Sequence, residues 1–275
     1  MAIQESDKID AGAVARAIEL LAIGGPVTWL PVTGSTNQLA LEAAQAGAGR
    51  GIWVADEQTA GRGRGGHSWH STRGDGLYVS VLVTPELPLD RALWLSLATG
   101  LAAHQAILAT AGIGIDLRWP NDLLCGSRKL GGILVESTVA NAAPTEPTGL
   151  RYAVLGVGIN VHHRSFPPEI TPLATSLRLE GAHSVSRQTL LIAFFRALDR
   201  ELDELDRDHA GLGIGPSLLT RFGEVSSWVR GKRVQVPEEG GYTGLTAGLD
   251  ARGFLLVDAD DGVQRTVRSG GVREL

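Results

Sequence analysis

The sequence has one cysteine, Cys125, and one methionine among 275 residues. A single thiol rules out an intramolecular disulfide framework and suits a reducing compartment. There is no surplus of positive charge, because 25 Lys and Arg face 30 Asp and Glu for a formal net charge of −5. That balance excludes a general attraction to nucleic acid or to an anionic membrane, so any such contact would have to be local. No uninterrupted apolar run reaches the roughly 18 residues of a membrane span, and the N-terminus lacks a basic segment followed by an apolar core. The expectation is a cytoplasmic protein with no nucleic-acid and no membrane partner. Aromatics are sparse at 5%, yet 43% hydrophobic residues exclude disorder and can fill a sizeable core.

Glycine is what the sequence has in excess: 36 of 275 residues, about 13%, against roughly 7% in average proteins. The surplus has no collagen-like period, so its placement carries the information. Apolar spacing predicts helices at 10–23, capped by Asp10, at 91–111 and at 187–208. The predicted face of the second carries Leu93, Trp94, Leu97, Leu101, His104 and Leu108. The third sets Phe194, Phe195 and Leu198 against an acidic face, including Glu201, that reads as solvated. GSTNQLALEAAQAG opens a further helix after VTWLPV, while GIWVADEQT, LYVSVLV, IDLRW, KLGGILVES and YAVLGVGINV read as strands. Residues 139–149, VANAAPTEPTG, read as an exposed connection. Beyond about 225 the pattern changes to short alternating runs broken by EEGG, ARG and DDG, the signature of a small β-barrel. The division implied is 1–226 and 227–275.

Two segments carry chemistry. Residues 61–76, GRGRGGHSWHSTRGDG, combine six glycines with Arg62, Arg64 and Arg73 and have no acid before Asp75. Backbone N–H groups and guanidinium forks of this kind can wrap an anion, and so flexible a loop is expected to order when a ligand supplies the negative charge. It is neither a Walker A loop nor a GxGxxG turn into a helix. RWPNDLL at 118–124 then places Asn121 and Asp122 just past a strand, in a sequence that is also good turn chemistry. RKLGGILVE at 128–136 puts Lys129 at the start of a strand in which Gly131 and Gly132 mark a bulge or the close approach of a ligand.

GRGRGGHSW, WPND and RKLGGIL, in this order, preceded by GSTNQ and followed by GVGINV, resemble the biotin protein ligase family closely over 33–162. The small C-terminal unit agrees more loosely. The resemblance implies a mixed α/β fold, a central sheet with flanking helices of the class II synthetase-like biotin/lipoate ligase type, plus a C-terminal SH3-like barrel. It implies an enzyme that condenses biotin with ATP to biotinyl-5′-AMP, releasing pyrophosphate. The biotinyl group is then passed to a lysine of a biotin carboxyl carrier domain.

By the same resemblance Lys129, Arg64 and Arg62 are the catalytic cations. Ser35, Thr36, Asn37, Gln58, Arg62, Gly63, Arg64, Lys129 and Gly132 hold biotin. Arg64, Trp69, Arg118, Asn121, Lys129 and Asn160 hold ATP or the adenylate, and Asp122 helps to position Mg²⁺. That chemistry needs positive charge where a carboxylate approaches a phosphate, and matched polar partners for a ureido ring. Ser35 and Thr36 read equally well as helix caps. No residue is assigned as general base for the transfer to lysine.

Two features depart from relatives. Fewer than 30 residues precede the first strand, so no operator binding is expected, and His67 stands where a second basic cluster is usual. A monomer or weak homodimer is expected. A lipoate-type ligase would leave the polar set around Ser35 and Gln58 unused on an apolar dithiolane, and a biotin sensor would need neither Lys129 nor a cationic loop.

Overall fold

A computed structural model describes residues 7–139, 149–213, 215–268 and 271–275. Residues 140–148 of the expected Pro/Thr-rich connection, and Gly270, lie outside the described residues.

The order of elements is α1 (Ala11–Ala17), β1 (Val27–Leu30), α2 (Thr36–Gln45), β2 (Gly51–Ala55), β3 (Gly76–Val83), α3 (Leu93–Ala111), β4 (Asp116–Arg118), β5 (Asp122–Cys125), β6 (Arg128–Val139), β7 (Leu150–Asn160), α4 (Arg187–His209) and α5 (Leu218–Val225). A second group of strands follows: β8 (Arg230–Val236), β9 (Tyr242–Leu249), β10 (Leu255–Ala259), β11 (Gln264–Val267) and β12 (Arg273–Glu274). The first group forms a seven-stranded sheet in the order β1-β2-β3-β7-β6-β5-β4. Only the β1–β2 pair is parallel, so the sheet is mixed, as expected. The second group is a five-stranded antiparallel sheet, β11-β10-β9-β8-β12, over a small apolar core of Val234, Val236, Leu255, Val257, Val267 and Val272.

The helices pack as their sequences dictate, with three corrections. Asp10 caps α1 by accepting from Ala13 N at 3.0 Å, but the helix stops at Ala17 and does not reach 23. Beyond it the chain turns, and Ile23 N is drawn to Asp199 of α4 at 3.0 Å. Helix α3 is buried on nearly all sides, Trp94 through Ala103 included, because it lies between the sheet and α4. Leu108, placed on its buried face by the apolar spacing, is exposed. With Leu89–Leu93 this helix has the length and hydropathy of a membrane span, and 67% of that window is buried inside the fold, the mark of a core helix. Glu201, read as part of a solvated face of α4, is buried. Arg221 donates to both its oxygens at 2.8 Å and Gln105 to one at 2.6 Å. Burial raises its pKa, against the pull of Arg221.

The two sheets are tied at one end of the large one. Trp119 Nε1 donates to Gly253 O in the β9–β10 turn at 2.9 Å, and Ser226 Oγ donates to Leu117 O at 2.5 Å. The Trp119–Pro120 peptide is cis.

Candidate active site

The site lies where β6 and β7 cross the middle of the large sheet, beneath the loop 61–76 and beside the N-terminus of α2. The backbone dictates the geometry through glycine. Gly132 and Gly158 face each other across the β6–β7 ladder. With no side chains there, the indole of Trp69 lies on the sheet: a Cβ at residue 158 would stand 2.6 Å from Nε1, and one at 132 would stand 3.4 Å from the ring. Gly156 does the same for Asn37, whose Oδ1 lies 2.0 Å from where a Cβ would be. The glycine pairs therefore admit two side chains of the protein itself. Gly131 sits beside a register shift in the β5–β6 ladder, so the expected bulge is present.

A polar wall runs from α2 across the sheet. Ser35 occupies the N-cap position of α2, but its hydroxyl makes no capping bond. The cap comes from Gln58, whose Oε1 accepts from Thr36 N at 2.8 Å and Thr36 Oγ1 at 3.1 Å. Asn37 Nδ2 donates to Leu134 O at 3.1 Å and to Glu136 Oε2 at 3.0 Å. Buried Ser80 reaches Thr36 Oγ1 at 2.8 Å and Asn37 Oδ1 at 2.5 Å.

A cationic wall faces it. Lys129 Nζ pairs with Asp122 Oδ1 at 2.6 Å and stands 5.6 Å from the Trp69 ring centre. The Lys129 backbone is pinned from both sides, its N–H donating to Leu173 O and its carbonyl accepting from Thr175 N. Arg62 Nη2 binds Glu136 Oε1 at 2.7 Å. Partial burial pushes Arg64 below the usual guanidinium pKa, while Asp122 and Glu238, the latter from the turn between β8 and β9, pull the other way. It keeps its charge at neutral pH. The loop carries its own backbone bonds, Gly63 N to His67 O at 2.7 Å and Trp69 N to Gly61 O at 2.9 Å.

The structure brings Ser35, Thr36, Asn37, Gln58, Arg62, Gly63, Arg64, Trp69, Asn121, Lys129 and Gly132 around one cleft. Asp122 joins them at its edge through Lys129. Two expected residues are directed elsewhere. Arg118 donates to Val272 O at 2.5 Å and lies over Trp228, at the junction with the C-terminal sheet. Asn160 is buried and donates to Thr175 O at 2.9 Å, anchoring the chain that returns to Lys129. Sequence reasoning missed Ser80 and Glu136. Ser80 had a signal, a lone hydroxyl in the apolar run LYVSVLV, and Glu136 closes the quoted RKLGGILVE. Among the described residues no three His, Cys, Asp or Glu side chains converge as a metal cage.

A mixed sheet carrying a polar wall, a lysine–aspartate pair and an arginine loop defines a site for a polar molecule that is anionic at one end. Residues 29–160 match the biotin/lipoate A/B protein ligase family, and residues 230–272 match the biotin protein ligase C terminal domain. The chain is 30% identical over 266 residues to the bifunctional ligase/repressor BirA of Bacillus spizizenii, covering 96% of this chain and 78% of that one. It is 34% identical over 234 residues to the biotin--[acetyl-CoA-carboxylase] ligase of Mycobacterium tuberculosis, covering 82% and 80%. The fold is similar to that of the biotin protein ligase from Aquifex aeolicus in complex with biotin and ATP, with a TM-score of 0.73, 28% identity, and coverage of 91% and 99%. The chain belongs to the biotin protein ligase family and is an enzyme, a ligase.

Proposed function

We propose that the protein uses biotin and ATP as substrates, forms biotinyl-5′-AMP with release of pyrophosphate, and transfers the biotinyl group to a lysine of a biotin carboxyl carrier domain. The observation that carries this reading is the Lys129–Asp122 pair, 2.6 Å apart, set between the polar wall and the arginine loop. In the first step a biotin carboxylate oxygen attacks the α-phosphorus as the bond to pyrophosphate breaks. Two anions must meet, and fixed cations lower that barrier most where water is excluded. Lys129 is positioned to contact both the carboxylate and the α-phosphate, and Arg64 to close over the phosphates. The wall formed by Ser35, Thr36, Asn37 and Gln58 supplies partners for the ureido group, with Trp69 covering the middle of the ligand.

Mg²⁺ fits this donor set only as an ion bound chiefly by phosphate oxygens and water, because among the described residues Asp122 is already paired with Lys129 and Glu136 is taken by Arg62 and Asn37. In that position it would neutralise phosphate charge, with Asp122 supplying a single oxygen. Arg118 and Asn160 support the site from outside, the first through the C-terminal sheet and the second through the chain behind Lys129. In the second step the acceptor amine attacks the acyl carbon and AMP departs. We assign the adenylation machinery to residues 1–226 and the smaller unit to 227–275.

Exchange of labelled pyrophosphate into ATP tests the reading. Exchange that depends on biotin, followed by label transfer to a carrier domain, is the expected result. Exchange with lipoate alone would overturn it, and exchange with neither would point to a binding protein.

A further inference from the structure

Glu136 lies behind the arginine loop, four strand positions beyond Gly132 and on the same face of β6, since alternate residues of a strand share a face. Its two oxygens are divided. Oε1 takes Arg62 Nη2 at 2.7 Å, and Oε2 takes Asn37 Nδ2 at 3.0 Å. Asn37 has no spare amide proton after this, because its other N–H goes to Leu134 O and its Oδ1 accepts from Ser80. Arg62 also approaches Gln38 Oε1 at 3.4 Å, so one side chain of α2 and one of β6 hold it directly at the polar end of the cleft. The other loop arginine is placed differently: Arg64 lines the cleft with Lys129 and Asn121, near enough to Asp122 and Glu238 to feel their charge.

What sets Arg62 apart is that its carboxylate partner is itself bonded to Asn37 of the polar wall, so its remaining N–H groups are directed donors at that end of the cleft. From this division we infer that Glu136 is a positioning residue for biotin. By clamping Arg62 to the amide of Asn37 it commits Arg62 to the biotin end of the cleft and leaves Arg64 and Lys129 as the cations that serve the phosphates. This inference rests on the adenylation reading above and goes beyond it by giving the two loop arginines separate duties.

The experiment compares wild type, Glu136→Ala, Glu136→Gln, Arg62→Ala and the Arg62→Ala/Glu136→Ala pair. Biotin affinity is measured by calorimetry without ATP, KM for each substrate by pyrophosphate exchange, and folding by melting temperature. Glu136→Ala is expected to weaken biotin by roughly tenfold or more, the order of one lost charge-assisted bond. KM for ATP should stay within about twofold. Glu136→Gln keeps an acceptor for Asn37 and loses the charge, so it should fall between, and it decides the matter if the alanine variant does not fold. The double variant should bind biotin no more weakly than Arg62→Ala alone, because Glu136 acts through Arg62. Biotin affinity within about twofold of wild type in the glutamate variants, equal losses for biotin and ATP, or additive losses in the double variant would each overturn the assignment. Wild type that fails to bind biotin would instead overturn the function proposed above, and is read first.

Discussion

The indole of Trp69 rests on the backbone of Gly158 so closely that a Cβ added there would stand 2.6 Å from Nε1, a contact only glycine permits. Trp69 and Lys129 lie across the same cleft, with Nζ 5.6 Å from the ring centre. Gly132 shares the slot, so the glycine pair of β6 and β7 works as a seat for this ring.

Gly158→Ala tests that seat. The methyl group would unseat Trp69 while leaving the apolar core unaltered, so the variant should fold. Biotin-dependent pyrophosphate exchange should fall by about tenfold or more, the order of effect expected when a ligand-covering group is displaced. Tryptophan emission should move to longer wavelength, and that move should vanish in a Trp69→Phe background. Unchanged emission in Gly158→Ala would show that the ring does not occupy this slot.

Lys129 provides the next prediction. Its pair with Asp122 is part exposed, with side chains 37% and 20% accessible, so removing it should cost little stability. Lys129→Ala should melt near wild type yet lose about a hundredfold or more of the exchange rate, the scale of one preorganised charge at a reacting centre. Biotin affinity should change far less than the rate. Near-normal exchange in this variant would remove Lys129 from its proposed role.

Much of this arrangement was legible in the sequence because local patterns agreed with the fold. Alternating apolar runs gave the strands, and GRGRGGHSW, WPND and RKLGG marked the loop, the β4–β5 turn and the lysine strand. What was illegible depended on contacts between distant segments. Nothing near Arg118 shows that it will cross to Val272 O, 154 residues away. Gly156 and Gly158 stand bare in GVGINV, and only the strand register reveals that Asn37 and Trp69 occupy the space above them. Glu201 read as solvated because its partner, Arg221, belongs to the next helix. A single sequence carries periodicity and turn chemistry well, but not which side chain meets a given gap.

Acid should weaken the fold in two stages. The His163 ring is buried and stacked on Phe166, with centroids 5.0 Å apart. Burial pushes its pKa down to about 4, helped by His70 and His162, and the nearby Asp75 backbone offsets only part of this. An unfolded histidine titrates near 6.5. Between about 6.5 and 4 the unfolded chain therefore binds a proton that the folded chain refuses, so stability falls as pH drops through that window, by a total on the order of 3 kcal/mol. Asp7 acts lower. Burial alone would raise its pKa, but bonds from His162 and Arg187 hold it below 3.8, so its contribution is lost only as pH falls below that value. His163→Phe should keep the stack and flatten the upper stage while leaving the lower one. Urea midpoints at pH 7 and pH 4.5 check this, and an equal drop in wild type and variant would acquit His163.

Arg187 shows how the first residue of α4 organises the base of the arginine loop. Its guanidinium is buried, and its four bonds join three pieces of chain: Nε to Asp7 Oδ2 at 3.1 Å, Nη2 to Asp7 O at 2.8 Å, and Nη1 to Asp56 Oδ1 at 2.9 Å and Gly76 O at 3.2 Å. Asp56 follows β2 and also accepts Gly74 N on its carbonyl, so the end of the loop and the start of β3 converge on this one side chain. Removing the cation would leave Asp56 without this partner and Asp7 with His162 in its place, both poorly solvated, the situation in which breaking a buried pair costs about 3–5 kcal/mol. Arg187→Ala should lose that much stability in chemical denaturation. Arg187→Lys should recover little of it, because an ammonium cannot reach three partners in the plane of a fork. A loss under about 1 kcal/mol for the alanine variant would mean that the network is solvated in solution and does not hold the loop base.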